Sequence, residues 1–251
     1  DFRVESNGNA NMLFVDGGNN RVGIGTAAPA ALLDVGGGLI ADPTIRIDSA
    51  SGGDPTLIFD GSAANRSGLI KFYDNGSTTG GFISYLHNGD VMNFGAGTTG
   101  TASLTIGDGY VSMPTQPAFS AIPASIQENF AINGSVTIVL GTEVFDIGSN
   151  FASNTFTAPV TGKYQLNFFM RLGALDSAAA YYQTSIVTSN RTYLFTFDPD
   201  FGQDNVMQSI AYSALADMDE DDTAHVTINQ GGGTQQTDIN TETCFSGFLA
   251  C

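Results

Sequence analysis

The sequence has no tryptophan, two cysteines, two histidines and only 8 lysines and arginines among its 251 residues. The shortage of positive charge leaves a net charge of −17, which argues against binding to nucleic acid or to an anionic membrane surface. No apolar run approaches the ~18 residues that a membrane-spanning helix requires. Cys244 and Cys251 lie on a segment that reads as a strand, which would separate them by roughly 23 Å, too far for a disulfide bond. Because the chain begins at Asp1 without a methionine or a signal peptide, we expect a piece of a longer protein, whose remainder attaches it to something larger.

What the sequence does contain is a set of short alternating segments between residues 40 and 113. Most are soon followed by glycine with aspartate or asparagine, which is typical of strands and hairpins; they read TIRID, LIFDG, LIKFYDNG, FISYLHNGD, VMNFGAG, LTIGDG and YVSM. Strands this short bury little surface alone, so we expect them to stack along one axis or to wrap three chains together, which would also cover exposed sheet edges. A monomeric sandwich built from the same strands is the alternative.

An earlier segment, NNRVGIGTAAPAALLDV at residues 19–35, contains two glycines that begin like a dinucleotide-binding turn. A third glycine and a long following helix are both missing, so a nucleotide site is not expected. The segment resembles the N-R-V-G-I-G-T-x-x-P-x-x-x-L-x-V segments of bacteriophage tail fibres and related surface fibres. That resemblance implies a trimeric fibre shaft, in which Gly23 and Gly25 allow a tight turn and Pro29 starts a second one. The side chains that would pack at a three-fold axis are Val22, Ile24, Leu32 and Leu33.

From about Gln116 the strands lengthen and the glycines become fewer. The run from Phe156 to Leu172 alternates apolar and polar side chains, which indicates a strand with one apolar face. Eight such runs suit an antiparallel jelly roll; they lie at 117–122, 135–146, 164–172, 182–186, 193–197, 206–212, 224–228 and 243–249. The sequence therefore predicts an all-β chain, with a fibre shaft or collar of short strands at 1–115 and a jelly-roll head of eight to ten strands at 116–251.

Three motifs in the second half carry a further resemblance: PAFSA near its start, FTAPVTGKYQLNF in its middle and CFSGFLA at its end. In order and spacing they resemble the globular head of complement and tumour-necrosis-factor-like proteins, the C1q family. The resemblance covers residues 116–251 and implies a tight homotrimer with aromatic side chains along the three-fold axis. The chain departs from the family at Cys251, where it stops just after the last strand.

Little in the sequence points to catalysis. His225 alternates with apolar residues on a strand, and no nucleophile or orienting group accompanies it, so we expect no enzyme. The acidic run at 216–225 places Asp217, Asp219 and Asp221 at the first spacings of a calcium loop, but the glycine and glutamate that an EF-hand needs are missing. A solvated turn is the simpler interpretation. A weak calcium site is the alternative, and no other cofactor is predicted.

The two resemblances together predict a non-enzymatic bacteriophage tail-fibre protein, located in the virion, that attaches to a host-surface component. The expected partners are two further copies of the chain, a host glycan or other envelope receptor, and the rest of the fibre before residue 1. Three alternatives stay open: a structural trimerisation module, a secreted bacterial adhesin, and a polysaccharide depolymerase.

The position of a receptor site follows from counting strands, because antiparallel strands alternate in direction. If the shaft joins at the base, the tip receives residues 122–135, 171–179, 198–204 and 230–242, and the base receives 148–161, 188–191 and 216–223. Two of the tip loops carry side chains suited to sugar hydroxyls, to a cation or to an apolar sugar face. The predicted receptor-binding residues are Asp198, Asp200, Phe201, Asp204, Gln235, Gln236 and Asp238. Ordinary solvated loops are the alternative.

Overall fold

The computed structural model describes residues 1–36, 56–59, 66–73, 80–97 and 101–251, and every regular element in these ranges is a β-strand. Within these ranges there is no helix that could cross a membrane. The predicted all-β class is therefore confirmed. The chain divides into two compact units, residues 1–60 and residues 61–251. The predicted division into shaft and head after residue 115 stays a prediction.

The first unit contains one four-stranded sheet. Its strands are β1 (Phe2–Ser6), β2 (Asn9–Asp16), β3 (Arg21–Ile24) and β4 (Leu33–Val35), hydrogen-bonded in that order. β3 and β4 run parallel, so the chain must cross back between them.

The crossing from β3 to β4 requires glycine at two positions of the fibre-like segment, Gly23 and Gly25. A Cβ at Gly23 would lie 2.3 Å from the Thr26 carbonyl oxygen, which only glycine avoids, and Gly25 has a φ of 82°. The Arg21 Nη1 donates a hydrogen bond of 2.7 Å to the Pro29 carbonyl oxygen and so fixes the crossing segment against β3. Leu32 and Leu33, at its end, have exposed side chains.

The second unit begins with an antiparallel sheet of five strands. They are β5 (Ser67–Tyr73), β6 (Gly80–Leu86), β7 (Val91–Gly95), β8 (Leu104–Gly107) and β9 (Tyr110–Ser112). Five of the seven predicted short strands are confirmed here. The first, TIRID, lies outside the described residues. In the second, LIFDG, the described residues 57–59 form no strand, and residues 60 and 61 lie outside the described ranges.

The rest of the second unit is a sandwich of two sheets, each with six strands. Sheet A contains β10 (Ala118–Ile122), β12 (Thr142–Ile147), β15 (Gly162–Leu175), β18 (Asn205–Met218), β20 (Asp238–Ile239) and β21 (Cys244–Leu249), in the order β12-β10-β21-β15-β18 with β20 beside β15. Sheet B contains β11 (Val136–Thr137), β13 (Phe151–Ala152), β14 (Thr155–Thr157), β16 (Tyr181–Thr188), β17 (Thr192–Phe197) and β19 (Thr223–Gly231), in the order β13-β14-β19-β16-β17 with β11 beside β19. The predicted jelly roll is confirmed.

One predicted strand, residues 135–146, was wrong. It is divided between β11 in sheet B and β12 in sheet A. Between them, Ile138 and Leu140 are buried in the core, so the chain passes from one sheet to the other at this point. Alternation alone cannot distinguish one strand from two that continue the same apolar pattern.

The core lies between the two sheets and is rich in phenylalanine. The Phe119 ring stacks on Phe156, with centroids 4.6 Å apart, and meets Phe245 edge-on at 5.0 Å. The predicted apolar face of β15 is confirmed, because its side chains at alternate positions are buried: Tyr164, Leu166, Phe168, Met170 and Leu172. Burying each such side chain contributes about 1.5–3 kcal/mol, so this strand is a main source of the stability of the sandwich.

Candidate functional site

Four loops of the sandwich meet at one end, which we call the tip: residues 123–135, 176–180, 198–204 and 232–243. Hydrogen bonds join these loops across long stretches of sequence. The Asn129 backbone N–H donates to Asp238 at 2.8 Å, and the Ser177 backbone N–H donates to Asp204 at 3.0 Å. The predicted grouping of these loops is confirmed, although residues 171–175 of the predicted tip belong to β15 and residues 230–231 to β19.

The opposite end, which we call the base, contains residues 148–161, 189–191 and 219–222. The prediction that 148–161 is only a connection was wrong, because the hairpin of β13 and β14 lies within it. Here the Asn190 side-chain amide donates to Asp222 at 2.6 Å, and the Glu220 backbone N–H donates to the Thr161 hydroxyl at 3.0 Å. The side-chain amide of Gln116 donates to the backbone oxygen of Leu249, and the Lys163 backbone N–H donates to the Cys251 backbone oxygen at 2.8 Å. The segment that leads into the sandwich therefore reaches it at the base, as predicted.

Four of the predicted receptor-binding residues hold the tip together. Asp204 accepts hydrogen bonds from the Ser177 backbone and hydroxyl and, at 2.8 Å, from the Gln236 side chain, and these bonds lower the pKa of its carboxyl. The Gln235 side chain donates to the Asn129 backbone oxygen at 2.7 Å. Asp238 accepts a hydrogen bond from the Asn129 backbone N–H. Their polar groups have partners within the protein, so they act as supports between loops.

The other three predicted residues belong to a single exposed loop, 198–204. One Asp198 oxygen accepts a hydrogen bond of 3.1 Å from the Asp200 backbone N–H. Pro199 is buried and holds the start of the loop against the sandwich, while Phe201 is 48% exposed although it is a large apolar side chain. This part of the tip projects a phenyl ring and two carboxylates into solvent.

Sequence reasoning missed a buried polar network beneath the tip. The Tyr182 hydroxyl lies 2.7 Å from the Thr237 hydroxyl, donates to the Gln230 side chain at 3.1 Å and accepts from the Asp176 backbone N–H at 3.1 Å. Burial raises the pKa of Tyr182. The Asp176 carboxylate accepts from the Ala178 and Thr234 backbone N–H groups. The network joins two of the tip loops to β16 and β19, and nothing in the sequence around each residue signals it.

Beside the projecting loop, a cleft of about 370 Å³ opens between the edge strands β17 and β18. This cleft combines phenyl rings with one carboxylate and two further polar side chains. Its lining consists of Phe195, Phe197, Asp198, Phe201, Gln208, Ser209, Ile210 and Ala211.

The two-sheet sandwich corresponds to a known family, because residues 118–250 match the family described as C1q domain. The chain belongs to the C1q domain family. This confirms the resemblance predicted for residues 116–251 and makes the head a member of a family of binding and trimerisation modules.

Solved structures of low sequence identity also match part of the chain. The globular domain of zebrafish complement 1qA matches with 17% identity and a TM-score of 0.40, covering 54% of this chain and 98% of that one. A crystal structure of murine APRIL matches with 10% identity and a TM-score of 0.39, covering 53% of this chain and 98% of that one. None of the curated proteins compared with the chain matches it. Nothing in these comparisons concerns a tail fibre, so that part of the sequence-based identification stays a prediction.

The acidic run of the C1q domain lies at the base. Asp217, the last outward-facing residue of β18, forms an ion pair with Lys163, and the Asp222 carboxylate accepts from the Asp219 backbone N–H at 2.9 Å. Asp221 has a φ of 71° in the turn between them. Across the described ranges, no group of three or more acidic, histidine or cysteine side chains is placed to hold a metal ion. The geometry is that of a solvated turn, and the calcium site stays a prediction without structural support.

The outward side of sheet A is unusually apolar for an exposed surface. One row of residues crosses its five main strands in register, with Ile147 beside Ala118, then Phe248, Gln165 and Leu215. We call the exposed apolar side chains of this side the face patch; they are Phe145, Ile147, Phe169, Leu215 and Phe248, each between 37% and 59% exposed.

Proposed function

We propose that this chain is a homotrimeric, non-enzymatic attachment protein that binds a surface component through the tip of its C1q domain. The observation that carries the proposal is the arrangement of the loops: four of them gather at the end opposite to Gln116, where the preceding chain joins. A domain mounted in this way presents its tip outward. Membership of the family supports the general part of this proposal, binding and assembly into a trimer, since C1q domains are binding and trimerisation modules.

The exposed apolar surfaces of the domain support a trimer. A closed ring of three copies needs two different, complementary surfaces on each chain. The face patch is one candidate, and the second is an edge patch on β17 and β18, where Leu194, Val206 and Met207 are all exposed. Apolar patches this extensive are rare on monomers. Burying them must also outweigh the repulsion between chains that each carry a charge of −17, a repulsion that salt weakens.

The first 115 residues support the same assembly. The four-stranded sheet exposes Phe2 and Leu33, with Leu32 exposed just before β4, and the five-stranded sheet exposes Phe72 and Val111. Small sheets with exposed apolar side chains are marginally stable alone, and contact with further copies would cover them. The proposed identity as a bacteriophage tail fibre, located in the virion, rests on the fibre-like segment 19–35 and on this architecture. A host glycan is the proposed receptor class.

The assembly is tested by measuring mass in solution. Light scattering of the chain at low micromolar concentration should give about 79 kDa, three times 26.2 kDa. Leu215→Asp and Phe248→Asp place a charge in the face patch and should yield monomers, whereas Val139→Asp, at a site 51% exposed outside the patch, should stay trimeric. A single 26.2 kDa species for the unmodified chain would reject the trimer.

The binding function is tested with trimers that differ only at the tip. Asp200→Ala combined with Phe201→Ala removes the projecting groups and should abolish adsorption to host cells. Asp219→Ala makes a similar change at the base and should leave adsorption intact. Equal adsorption of both variants would place the receptor site outside loop 198–204.

A purely structural trimerisation module is the second candidate. It is favoured by one observation: Asp204, Gln235, Gln236 and Asp238 are hydrogen-bonded to other loops and thus act as supports. Glycan arrays separate the two candidates, because a structural module would bind no immobilised sugar. Chain shortening in host polysaccharide would instead indicate a depolymerase.

A further inference from the structure

Ser185 on β16 and Thr227 on β19 lie side by side on the outward side of sheet B, the side of the sandwich opposite to the face patch. Although they point away from the core, they are only 6% and 7% exposed. Longer side chains precede and follow them at the outward positions of both strands, so the pair forms the floor of a shallow depression. These neighbours are Gln183, Val187, His225 and Asn229. We call this place the sheet B depression.

The polar groups of the sheet B depression lack partners in the protein. Within the described ranges, no hydrogen bond engages the Ser185 Oγ or the Thr227 Oγ1, and neither atom is cut off from solvent. The Asn229 Oδ1 is buried without a partner, and turning the amide outward would let a ligand donor satisfy it. Because hydroxyl and amide groups both donate and accept, a ligand rich in hydroxyl groups finds complementary partners here.

The strands around the depression carry no charged side chain. None of the six strands of sheet B, all of which the structure describes, contains an aspartate, glutamate, lysine or arginine, although the chain has 25 acidic and 8 basic residues. Burial lowers the pKa of His225, so its imidazole is neutral at pH 7. An ionic ligand would lose its hydration here without gaining an opposite charge, whereas an uncharged ligand avoids that cost.

An aromatic ring lies at the end of the depression nearest the tip. Tyr181 packs against Gly231 on the neighbouring strand, where a Cβ would come within 2.4 Å of the ring, and the residue is 37% exposed. Its hydroxyl receives only the long hydrogen bond of 3.5 Å from the Asn229 side chain. A tyrosine in this position offers an apolar ring and a polar hydroxyl to the same ligand.

The depression lies outside the surfaces assigned to the contact between chains. The face patch is on sheet A, and β16 separates β19 from the edge strand β17. The outward positions of β16 and β19 hold one aliphatic side chain, Val187, which is too little for the apolar centre of a protein contact. In the proposed trimer, this surface therefore remains open to solvent.

We propose that the sheet B depression binds an uncharged saccharide, with its hydroxyl groups bonded to Ser185, Thr227 and Asn229 and one sugar ring packed against Tyr181. Tyr181 and Ser185 are four residues apart on one strand, about 13 Å, so the ligand spans at least two sugar rings. The depression is a second site, separate from loop 198–204, and does not depend on the attachment proposed for that loop.

The probe is an array of neutral oligosaccharides that end in glucose, galactose or mannose, printed beside their sialylated counterparts. The trimer should bind at least one neutral oligosaccharide, and more strongly than its sialylated form. Titration of that oligosaccharide in solution then compares variants. Thr227→Val and Ser185→Ala each remove one hydroxyl and should weaken binding about two- to tenfold. Tyr181→Leu removes the ring and should weaken it by a similar factor.

Two controls separate a role in binding from a role in folding. Thr157→Val makes the same change at an outward position of β14, nearer the base, and should leave binding unchanged. Because Thr227 Oγ1 has no hydrogen bond in the described structure and valine favours strands, Thr227→Val should not lower the midpoint of thermal unfolding.

Three outcomes would overturn the proposal: an array on which no neutral oligosaccharide is bound, equal or tighter binding of the sialylated forms, or binding that Thr227→Val and Ser185→Ala leave unchanged. Dissociation of the trimer in Thr227→Val would also overturn it, because the depression would then belong to the contact between chains. The attachment function is decided by host adsorption of the variant at Asp200 and Phe201, and this site by sugar binding of Thr227→Val, so either can fail while the other stands.

Discussion

Replacing Tyr182 by phenylalanine tests whether the buried network stabilises the tip. The ring can stay stacked on Phe197, but the hydroxyl that joins Asp176, Gln230 and Thr237 is lost. The Gln230 side-chain oxygen would then be buried without its partner, and such a group costs about 1–3 kcal/mol. We therefore expect a loss of roughly 2 kcal/mol in the free energy of unfolding, or roughly 4–8 °C in the midpoint of thermal unfolding.

The adjacent residue supplies a matched control. Tyr181 lies on the outward side of sheet B, and its hydroxyl receives only a long hydrogen bond of 3.5 Å from Asn229. Tyr181→Phe should therefore change stability by less than about 0.5 kcal/mol. Unfolding is followed by circular dichroism at equal protein concentrations, because the midpoint of a trimer depends on concentration. If Tyr182→Phe unfolds within about 0.5 °C of the unmodified trimer, the network does not stabilise the tip.

Three further predictions concern single groups of the C1q domain. Burial raises the pKa of Tyr212 to about 12, above its ordinary value of 10.0. The contribution of this hydroxyl to the free energy of unfolding is therefore complete below pH 10 and is lost as the pH rises towards 12. Tyr212→Phe should flatten the fall in stability between pH 10 and pH 12, and an unchanged slope would contradict the raised pKa. Gly233→Ala should destabilise more than Gly232→Ala, by about 1–3 kcal/mol, because both have φ above 70° but only at Gly233 would a Cβ lie 2.2 Å from an Asp176 oxygen; equal midpoints in denaturant would refute this. Calcium chloride should not shift the thermal midpoint, since Asp217 is paired with Lys163, and a shift that Asp217→Asn removes would restore the calcium site.

The sequence was sufficient to predict those parts of the fold that depend on local pattern. The alternation in β15 identified its buried side, because side chains of a strand point to opposite faces in turn. Counting strands identified which loops share an end, because direction reverses at each antiparallel connection. Neither inference required knowledge of which strands are neighbours. The divided strand at 135–146 was missed because a change of sheet leaves the alternation of apolar residues unbroken.

The roles of the tip side chains depend on distances that no local pattern contains. Asp204 and Gln236 are 32 residues apart in sequence and meet only because β18 leads away from the tip and β19 returns to it. On the sequence they look like free polar groups of two solvated loops, as Asp198 and Asp200 do. The supporting residues differ from the exposed ones because they have a partner on another loop within hydrogen-bond reach, and only the folded chain specifies that partner.

This division of roles bears on how the tip could attach to a surface. Pro199 is buried before residues 200–203, and Asp204 after them is hydrogen-bonded to Ser177 and Gln236, so the projecting segment starts and ends at held positions. A short segment held at both ends has little freedom to lose on binding, but it also offers little contact area, so one site alone would bind weakly. Under the proposed function, three such segments on one trimer would engage a repetitive surface together. Each later contact would then form at high effective concentration, which strengthens attachment by about 10²–10⁴-fold. Under the proposed function, therefore, stiffness within each chain and multiplicity between chains are both required, and the residues that support the loops matter to attachment although they never touch the receptor.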